Sequence, residues 1–517
     1  MPRSTLFQRL RQIYSEVLQP HHFQEIGEVG RSPDALSRRQ FLHRTAMVAG
    51  ALGATSLRMR PLWAGNPPRF LIVGAGVAGL TIAYRLQQAG IPVDIVDAAP
   101  RVGGRLRSLA NQAGCPNPVE LGGEFIDTRH RAIHALVKEL GLPIADLRSA
   151  DQDLTPEVFY FGGDRLSHEW VSEAFLPLAQ KIQQDVAALG YQHPTYRTAS
   201  PVAERLDRLS LEDYLDTVDL DPRVKSLVRI AYVTEYGSDS HEQTCLNMLF
   251  LIGREPGIWS TYGESDERWH IVGGNEQVVK ALAKRLRSPI ALKTRLESVR
   301  ETGDRTYQVS LRHDNTSRER TYDGVILAMP FSVLRHVALD VEMSPLKQEA
   351  IAQLGYGTSS KLVVPLRDRI WRNRYQSTVS VYTDLPLQNT WESSRYAPGR
   401  SGWITNLRGG KEGLGLGRDR PDDQANRLLA DLDELFPGIQ QVQRGRSLRA
   451  VWAAEPYALG SYSCYRPGQA TRFGGIEAEP VGNIWFAGEH CSIDSQGYIN
   501  GAVESAEQVA AQILTRV

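Results

Sequence analysis

The feature that most constrains the fold is a glycine-rich turn between an apolar run and a helical pattern. Residues 70–73 (FLIV) are typical of a strand buried in a parallel sheet, and residues 80–89 have helical spacing. Between them lie three glycines in G-x-G-x-x-G order: Gly74, Gly76 and Gly79. The first permits a tight turn, the second lets the backbone approach a pyrophosphate, and the third lets helix and strand pack closely. With Ala78 at the helix start, where free N–H groups face the pyrophosphate, they predict a dinucleotide site.

An acidic residue and a second glycine turn extend this pattern. Residues 93–96 form a second apolar strand that ends in Asp97, at the place where a carboxylate accepts hydrogen bonds from a ribose. The second turn follows at once and consists of Arg101, Gly103, Gly104 and Arg105. Its two cations are able to pair with a phosphate in bidentate fashion. Because a nicotinamide-binding fold normally continues into its next helix here, the continuation favours FAD.

Charge, cysteine and histidine content exclude several classes of function. Lys plus Arg number 59, as do Asp plus Glu, which argues against a nucleic-acid partner. The four cysteines are too scattered for a disulfide framework or a zinc ribbon; they are Cys115, Cys245, Cys464 and Cys491. His130 and His134 are four residues apart on a predicted helix, without the glutamate of the H-E-x-x-H pattern. We therefore expect a solvated helix face there and predict no metal site.

The N-terminal region has the pattern of an export signal. Arg38 and Arg39 precede the weakly apolar run 45–57, whose 13 residues fall below the roughly 17 to 25 that span a bilayer. This order predicts a twin-arginine signal within residues 1–65, cleaved near Ala64, and a periplasmic or otherwise exported protein. The alternative is a basic amphipathic helix that attaches the protein to a membrane surface. The twin-arginine route carries folded proteins, commonly with a bound cofactor.

Six separated segments make residues 66–517 resemble the flavin monoamine oxidase family, which includes L-amino acid oxidases and polyamine oxidases. The segments are VDAAPRVGGRLRS, ELGGEFID, TRLESV, GTSSKLVVPL, VWAAEPYALGSYSCYRPG and NIWFAGEHCSIDSQGYINGAVESAE. In appearance the chain is most similar to exported bacterial L-amino acid oxidases. The resemblance implies an FAD-dependent oxidoreductase that removes a hydride from the carbon bearing an amine, with oxygen or a quinone as the final electron acceptor.

The resemblance also implies which residues bind FAD. ELGGEFID is similar to the strand that passes along the isoalloxazine, so the expected contacts there are Gly122, Gly123 and Glu124. Val299 would contact adenine through its backbone, and Trp452 would form part of the flavin wall.

The C-terminal segment supplies the remaining predicted FAD contacts. Residues 484–487 read as an apolar strand, and Gly488 and Glu489 as a turn whose acid accepts hydrogen bonds from the flavin's hydroxylated chain. A helix from about Asn500 places its N-terminus, with Tyr498 and Ile499, near the pyrimidine end of the flavin. The positive end of its dipole would stabilise negative charge on the reduced flavin.

Three residues are expected to act in catalysis. By resemblance, Tyr462 and Tyr498 are two aromatic rings that face each other across the substrate, although a tyrosine is more often a core residue with a satisfied hydroxyl. Lys361 precedes the apolar run LVVPL, where an ammonium needs partners. The family implies that it holds a water near the flavin, whereas the alternative is a strand-end lysine reaching solvent.

Two departures from the family bear on the cofactor and the substrate. Members with covalent flavin carry a cysteine where Ser461 stands, so FAD is predicted to be non-covalent. Venom-type L-amino acid oxidases place a carboxylate-binding arginine after the paired glycines, whereas here Glu124 and Phe125 follow. We expect an L-amino acid oxidase; basic substrates such as L-arginine or L-lysine are one option, since their cationic end would meet Glu124 or Glu235. The alternatives are a monoamine or polyamine oxidase, and a non-catalytic flavoprotein that docks a redox partner.

The expected fold is α/β, a Rossmann-like FAD-binding domain of the glutathione-reductase-2 type with an inserted α+β substrate domain. The predicted FAD-binding pieces are residues 66–150, 266–334 and 446–517, and the substrate pieces are residues 151–265, largely helical, and 335–445. Peripheral membrane association and a homodimer remain open.

Overall fold

The computed structural model describes residues 68–110, 118–303 and 305–517. The predicted signal, with Arg38, Arg39 and Ala64, lies outside these residues, as does Cys115. Among the helices that the structure describes, none is long and apolar enough to cross a bilayer.

The strands, in chain order, are β1 (Phe70–Val73), β2 (Val93–Val96), β3 (Ser108–Leu109), β4 (Val119–Glu120), β5 (Ile144–Asp146), β6 (Val158–Phe161), β7 (Asp164–Leu166), β8 (Trp269–Ile271), β9 (Ile290–Ala291), β10 (Thr294–Glu301), β11 (Tyr307–His313), β12 (Thr316–Tyr322), β13 (Gly324–Leu327), β14 (Ala338–Asp340), β15 (Ser360–Leu366), β16 (Val381–Thr383), β17 (Asn389–Glu392), β18 (Gly402–Arg408), β19 (Leu448–Val451) and β20 (Ile484–Phe486).

The α-helices, in chain order, are α1 (Val77–Gln88), α2 (Arg131–Leu140), α3 (His168–Ala188), α4 (Pro201–Asp207), α5 (Leu211–Leu215), α6 (Pro222–Tyr236), α7 (Cys245–Leu249), α8 (Glu276–Arg285), α9 (Phe331–Leu334), α10 (Pro345–Gln353), α11 (Ile370–Asn373), α12 (Gly410–Gly415), α13 (Pro421–Leu435), α14 (Gln469–Phe473) and α15 (Ile499–Arg516).

A parallel sheet in the order β20-β13-β1-β2-β9 forms one layer of the fold. Every residue of β1 and β13 is buried, which explains why both strands are continuous apolar runs. Phe70 pairs with Gly324 on one side and Val93 on the other. Helices α1 and α15 pack against each other beside this sheet. The predicted Rossmann-like α/β fold is confirmed.

A seven-stranded sheet in the order β19-β15-β18-β17-β16-β6-β7 forms the second large layer. Its strand β15 (SKLVVPL) is buried along its whole length and pairs antiparallel with β18 and β19, which places Lys361 opposite Leu407 and Ala450. Apolar residues of α3 to α7 form a hydrophobic cluster with β6 and β16. β19 belongs to this sheet, although the predicted boundary placed residues 446–517 in an FAD-binding piece.

A smaller sheet in the order β12-β11-β10-β14 carries the segment TRLESV. Within it, the pairing of β10 with β11 shifts register between Leu296 and Ser298. Such a shift changes which residues face each side of a strand. It bears directly on which residues of β10 reach the functional site.

Candidate active site

A cavity of about 1000 Å³ is lined by residues of both large sheets and of the loops between them. Its volume is large for a small-molecule site, as a dinucleotide with a second ligand requires. The predicted residues that line it are Gly74, Gly76, Ala78, Asp97, Arg101, Gly104, Arg105, Gly122, Gly123, Glu124, Lys361, Trp452, Tyr462, Gly488, Glu489, Tyr498 and Ile499. Gly79 and Val299 are outside this described lining.

The glycine turn has the geometry that a pyrophosphate requires. Gly74 has a φ of +111°, which favours glycine, and a Cβ on Gly79 would lie 1.9 Å from the Gly74 carbonyl oxygen. A Cβ on Gly76 would instead meet nothing within 4 Å, and Gly76 borders the cavity. Helix α1 begins just after Gly76, which has no side chain to cap it. The first-turn N–H groups of this helix therefore form an anion-binding cradle beside the open face of Gly76.

Asp97 lines the cavity, but its carboxylate also organises the turn. Its Oδ2 accepts a hydrogen bond from Ala75 N and its Oδ1 one from Ala99 N, both at 2.7 Å. Burial raises the pKa of Asp97 against the lowering effect of these two bonds. The carboxylate thus holds the glycine turn at the end of β2, where the prediction placed a ribose.

The two arginines of the second turn line the cavity and also bind the protein. Arg101 donates to the carbonyls of Val102 and Leu106 at 3.0 Å and of Gly104 at 2.6 Å. Arg105 Nη1 donates to Ser461 O at 3.0 Å and to Glu489 Oε1 at 2.8 Å. These bonds give both residues a structural role in the cavity wall, and their pairing with a phosphate stays a prediction.

Glu489 lines the cavity and is held by several protein donors. Its carboxylate accepts hydrogen bonds from Arg105, from Ser463 N and Oγ, and from Gly497 N at 2.8 Å. Burial opposes ionisation, but Arg105 and the Ser463 hydroxyl outweigh it and hold the pKa of Glu489 below its ordinary value. This acid therefore fixes the wall beside Tyr462, and its predicted contact with the flavin's hydroxyls stays a prediction.

Val299 lies outside the described cavity lining. It is fully buried in the four-stranded sheet, opposite Val309 and Leu339. Residues 294–297 of the same strand line the cavity. The register shift after Leu296 lies between these residues and Val299, whose predicted backbone contact with adenine stays a prediction.

Trp452 and helix α15 occupy the positions predicted for the flavin wall and the pyrimidine end. Trp452 is buried, lines the cavity and donates from Nε1 to Leu121 O at 2.9 Å. α15 begins at Ile499, and Gly497, Tyr498 and Ile499 line the cavity. The N-terminus of an 18-residue helix therefore points its partial positive charge at the site.

Lys361 forms a buried ion pair with Glu124. Lys361 Nζ lies 2.7 Å from Glu124 Oε2 and donates to Gly122 O at 2.9 Å, and it lies 3.4 Å from Glu120 O. Burial would raise the pKa of Glu124, but the charge and hydrogen bond of Lys361 outweigh it and lower that pKa. Glu124 is therefore committed to Lys361 and is not free to receive a cationic substrate. The alternative of a lysine reaching solvent is excluded, because the residue is 8% exposed.

Tyr462 and Tyr498 both bind Glu235, at the end of α6. The Tyr498 hydroxyl donates to Glu235 Oε1 at 2.9 Å, and the Tyr462 hydroxyl donates to the backbone oxygen of Glu235. Glu235 itself lines the cavity. The two tyrosines and this acid therefore form one hydrogen-bonded group at the cavity.

His130 does not lie on a solvated helix face, contrary to expectation. It is 3% exposed, directly precedes α2, and its Nδ1 accepts from Asp127 N at 2.9 Å. Its ring lies 5.0 Å from that of Tyr498, measured between centroids. Burial lowers the pKa of His130 to about 4, so its ring is neutral and packs behind the tyrosine.

Sequence reasoning missed several charged residues of the cavity, among them Glu267 and Arg395. Burial, with the charges of Glu235 and Asp127, raises the pKa of Glu267 to about 8. The Arg395 guanidinium lies 5.5 Å from the Phe125 ring centroid, and its Nε lies 3.6 Å from Asp151 Oδ2. Neither residue lies in a recognisable motif, so tertiary contacts alone bring them to the site.

The glycine cradle, the tryptophan wall and the C-terminal helix define a dinucleotide-binding oxidoreductase whose second ligand lies among aromatic and charged side chains. The family model for flavin containing amine oxidoreductases matches residues 77–514. The chain belongs to this family. FAD is its cofactor, and the open cradle at Gly76 and the α15 N-terminus fit that molecule. When bound, FAD accepts the hydride from the amine-bearing carbon.

Relatives and solved structures agree with this assignment. Amine oxidase [flavin-containing] B of Canis lupus familiaris is 25% identical over 86% of this chain and 85% of its own length. The Bos taurus form B is 26% identical over the same shares. Putrescine oxidase bound to putrescine has a TM-score of 0.75 at 19% identity, covering 87% of this chain and all of its own. Cyclohexylamine oxidase from Brevibacterium oxydans IH-35A has a TM-score of 0.72 at 19% identity, covering 87% and 99%. At these identities, the solved structures establish the fold alone.

Proposed function

We propose that the protein is an L-amino acid oxidase, which converts an L-amino acid to the 2-oxo acid, ammonia and hydrogen peroxide. Arg395 is the observation that carries the proposal. It lines the cavity, and its Nε has no hydrogen-bond partner among the residues that the structure describes. A guanidinium offers a carboxylate two parallel hydrogen bonds. An amine without a carboxylate makes no use of this group.

The position of Arg395 also accounts for the missing family arginine. Phe125 stands after the paired glycines, where venom-type enzymes place that arginine, and the Arg395 guanidinium lies over the Phe125 ring. Arg395, in the segment that follows β17, therefore places a cation in the same region. Asp151 holds it loosely at 3.6 Å while binding Arg372 at 2.5 Å, which leaves Arg395 the freer of the two.

The side-chain preference and the second candidate depend on the acids of the cavity. Glu267 gives the cavity a further carboxyl group, and a second positive charge on the substrate, as in L-arginine or L-lysine, would favour its ionised form. The same group supports a polyamine oxidase as the second candidate, together with a monoamine oxidase, and the named relatives are amine oxidases. A non-catalytic docking role is disfavoured because Lys361, Tyr462 and Tyr498 are all present at the cavity.

Matched substrates separate the two candidates. Peroxide release and flavin bleaching are measured with L-phenylalanine against phenethylamine and with L-arginine against agmatine, pairs that differ in the carboxylate alone. Arg395→Met should lower kcat/KM for the amino acids about 10- to 150-fold, the loss of about 1.5–3 kcal/mol for a charged hydrogen bond. The amines should be unaffected. Turnover of the amines alone by the wild-type protein would overturn the proposal in favour of the second candidate.

The cellular location is a further part of the proposal. Arg38 and Arg39, ahead of a short apolar run, support twin-arginine export, and non-covalent FAD, inferred from Ser461, would then be inserted before export. Replacing both arginines by lysine should leave FAD-loaded enzyme in the cytoplasm, as measured by cell fractionation and flavin absorbance. Undiminished delivery of loaded enzyme by that variant would contradict the export route.

A further inference from the structure

We propose that the carboxylate of Glu235 accepts the proton that the substrate ammonium loses before its C–H bond is broken. Glu235 lines the cavity and touches both tyrosines, through Oε1 to the Tyr498 hydroxyl and through its backbone oxygen to the Tyr462 hydroxyl. A substrate amine that binds in the cavity beside the Tyr498 hydroxyl is therefore next to this carboxyl group.

The reaction requires such a transfer. Amines are ammonium ions in neutral water, and an ammonium nitrogen has no lone pair with which to stabilise the carbon that loses a hydride. In the proposed step an N–H bond breaks, its electron pair stays on nitrogen, and an O–H bond forms on Glu235. One positive and one negative charge become two neutral groups, which a buried site favours, and nothing is oxidised or reduced.

The surroundings of Glu235 suit it to this exchange. Burial raises the pKa of Glu235 to about 7, the Tyr498 hydrogen bond lowers it and the charge of Asp127 raises it. An ordinary glutamate has a pKa of about 4.3 and an amine a pKa of about 10. The raised pKa of Glu235 therefore reduces the difference between the pKa values of base and amine by nearly half. The titratable groups that interact with Glu235 are acids and phenols: Asp127, Glu267, Tyr232, Tyr236, Tyr262, Tyr382, Tyr462 and Tyr498.

The two other candidate bases of the cavity are less suited. Lys361 Nζ already donates to the Glu124 carboxylate and to two carbonyl oxygens, so it is committed to acceptors of the protein. Glu267 also lines the cavity, but the hydroxyls of Tyr462 and Tyr498 bond to Glu235 and not to Glu267, whose pKa burial and the charge of Glu235 raise to about 8. Glu235 is therefore the carboxyl group that lies at the tyrosine pair.

This inference goes beyond the proposed function, because it needs amine oxidation but no particular substrate. An amino acid and a simple amine lose the same proton. If Arg395→Met and the matched substrates overturn the amino acid proposal, the experiment on Glu235 is done with whichever amine is oxidised. The two proposals therefore fail independently.

The test is the pH dependence of anaerobic flavin reduction in the full-length holoenzyme. In the wild type, the reduction rate divided by the substrate dissociation constant should fall below about pH 7, as Glu235 becomes protonated. Glu235→Gln should lower the reduction rate divided by the dissociation constant about 10- to 100-fold at pH 7. In this variant the ratio should fall below the pKa of the amine itself, and no longer near pH 7. A Glu235→Gln enzyme that retains the wild-type rate and the fall near pH 7 would refute the proposal.

Glu477→Gln is the matched control. Glu477 is buried, accepts a hydrogen bond from the Tyr465 hydroxyl at 2.7 Å, and burial raises its pKa to about 7. It therefore shares with Glu235 a tyrosine hydrogen bond and a pKa raised by burial, but it lies beside Lys347 and outside the described cavity lining. Its pH profile should match the wild type. If this variant also lost the fall near pH 7, the profile would report a general effect of buried acids and the proposal would be wrong.

Two further measurements keep the test decisive if Glu235→Gln folds poorly. Tyr498→Phe removes the hydrogen bond that lowers the pKa of Glu235. The pH below which the reduction rate divided by the dissociation constant falls should therefore be higher in this variant, and an unchanged pH would contradict the assignment.

The second measurement uses tert-butylamine or 2-aminoisobutyrate, which have no hydrogen on the reacting carbon. At pH 8, binding to the wild type should release few protons to an indicator dye, because Glu235 takes them, whereas Glu235→Gln should release about one per site. Equal release by both enzymes would overturn the proposal.

Discussion

Replacing Lys361 by methionine removes the cation from a buried ion pair and leaves the Glu124 carboxylate in the same place. Lys361 Nζ has an acceptor at 2.7 Å, another at 2.9 Å and a third at 3.4 Å, and the carboxylate side chain is 6% exposed. Removing one partner of such a pair leaves an uncompensated charge, which costs about 3–5 kcal/mol. We expect the free energy of unfolding of the holoenzyme to fall by that amount.

The double variant Lys361→Met, Glu124→Gln is the control for this prediction. Replacing both charges removes the burial penalty as well as the attraction, so the double variant should recover more than half of the lost free energy. The assay is guanidinium unfolding of the three proteins, followed by flavin and tryptophan fluorescence. A loss below about 1 kcal/mol in the single variant would show that water solvates Glu124 and that the site is not a buried pair.

The pH dependence of stability gives a second, sign-specific result. In the wild type, Lys361 holds the pKa of Glu124 below its unfolded value, so this pair stabilises the protein above that unfolded value and the stabilisation is lost as pH falls through the folded pKa. In Lys361→Met, burial is no longer opposed by the cation and the pKa of Glu124 should rise. The variant should therefore gain stability, relative to the wild type, as pH is lowered. A constant difference in the free energy of unfolding between the two proteins at all pH values would contradict this explanation.

Lys361→Met should also slow flavin reoxidation or imine hydrolysis, if Lys361 holds a water at the flavin.

Two glycine substitutions separate packing from cofactor binding. Gly79→Ala should prevent the FAD domain from folding, because the added Cβ would lie 1.9 Å from the Gly74 carbonyl oxygen. A soluble Gly79→Ala variant with the melting temperature of the wild type would contradict this prediction. Gly76→Ala should fold, since its Cβ meets nothing within 4 Å, yet it should bind FAD about tenfold or more weakly because that face borders the pyrophosphate cradle. Unchanged FAD affinity in Gly76→Ala, measured by titration of the FAD-free protein, would show that the pyrophosphate lies elsewhere.

Contiguous patterns explain what could be predicted from the sequence. The strand, glycine turn, helix and second strand of residues 70–96 are local, so periodicity and glycine chemistry suffice to place them. The strand that ends at Phe486 and the helix that begins at Ile499 are predictable for the same reason. These elements determine the cofactor end of the cavity.

Long-range contacts explain what could not be predicted. The guanidinium group of Arg105 looks free in the sequence, but the fold brings the Ser461 carbonyl and Glu489 to it. Val299 is buried between Val309 and Leu339 of the neighbouring strands and lies outside the described cavity lining, which no local residue pattern indicates. Arg395 reaches the site from a segment without a motif, because the seven-stranded sheet places it over Phe125. The substrate end of the site therefore depends on tertiary contacts.

The bond between Arg105 and Glu489 has a consequence for how the protein is made. The two residues are 384 positions apart, and Arg105 also binds Ser461, 356 positions away. A ribosome that adds roughly 5 to 20 residues per second needs about 20 to 80 s to travel from the first partner to the last. During that interval the glycine turns exist without the wall that completes the cavity. The cavity for FAD is therefore complete only when the last part of the chain has been made.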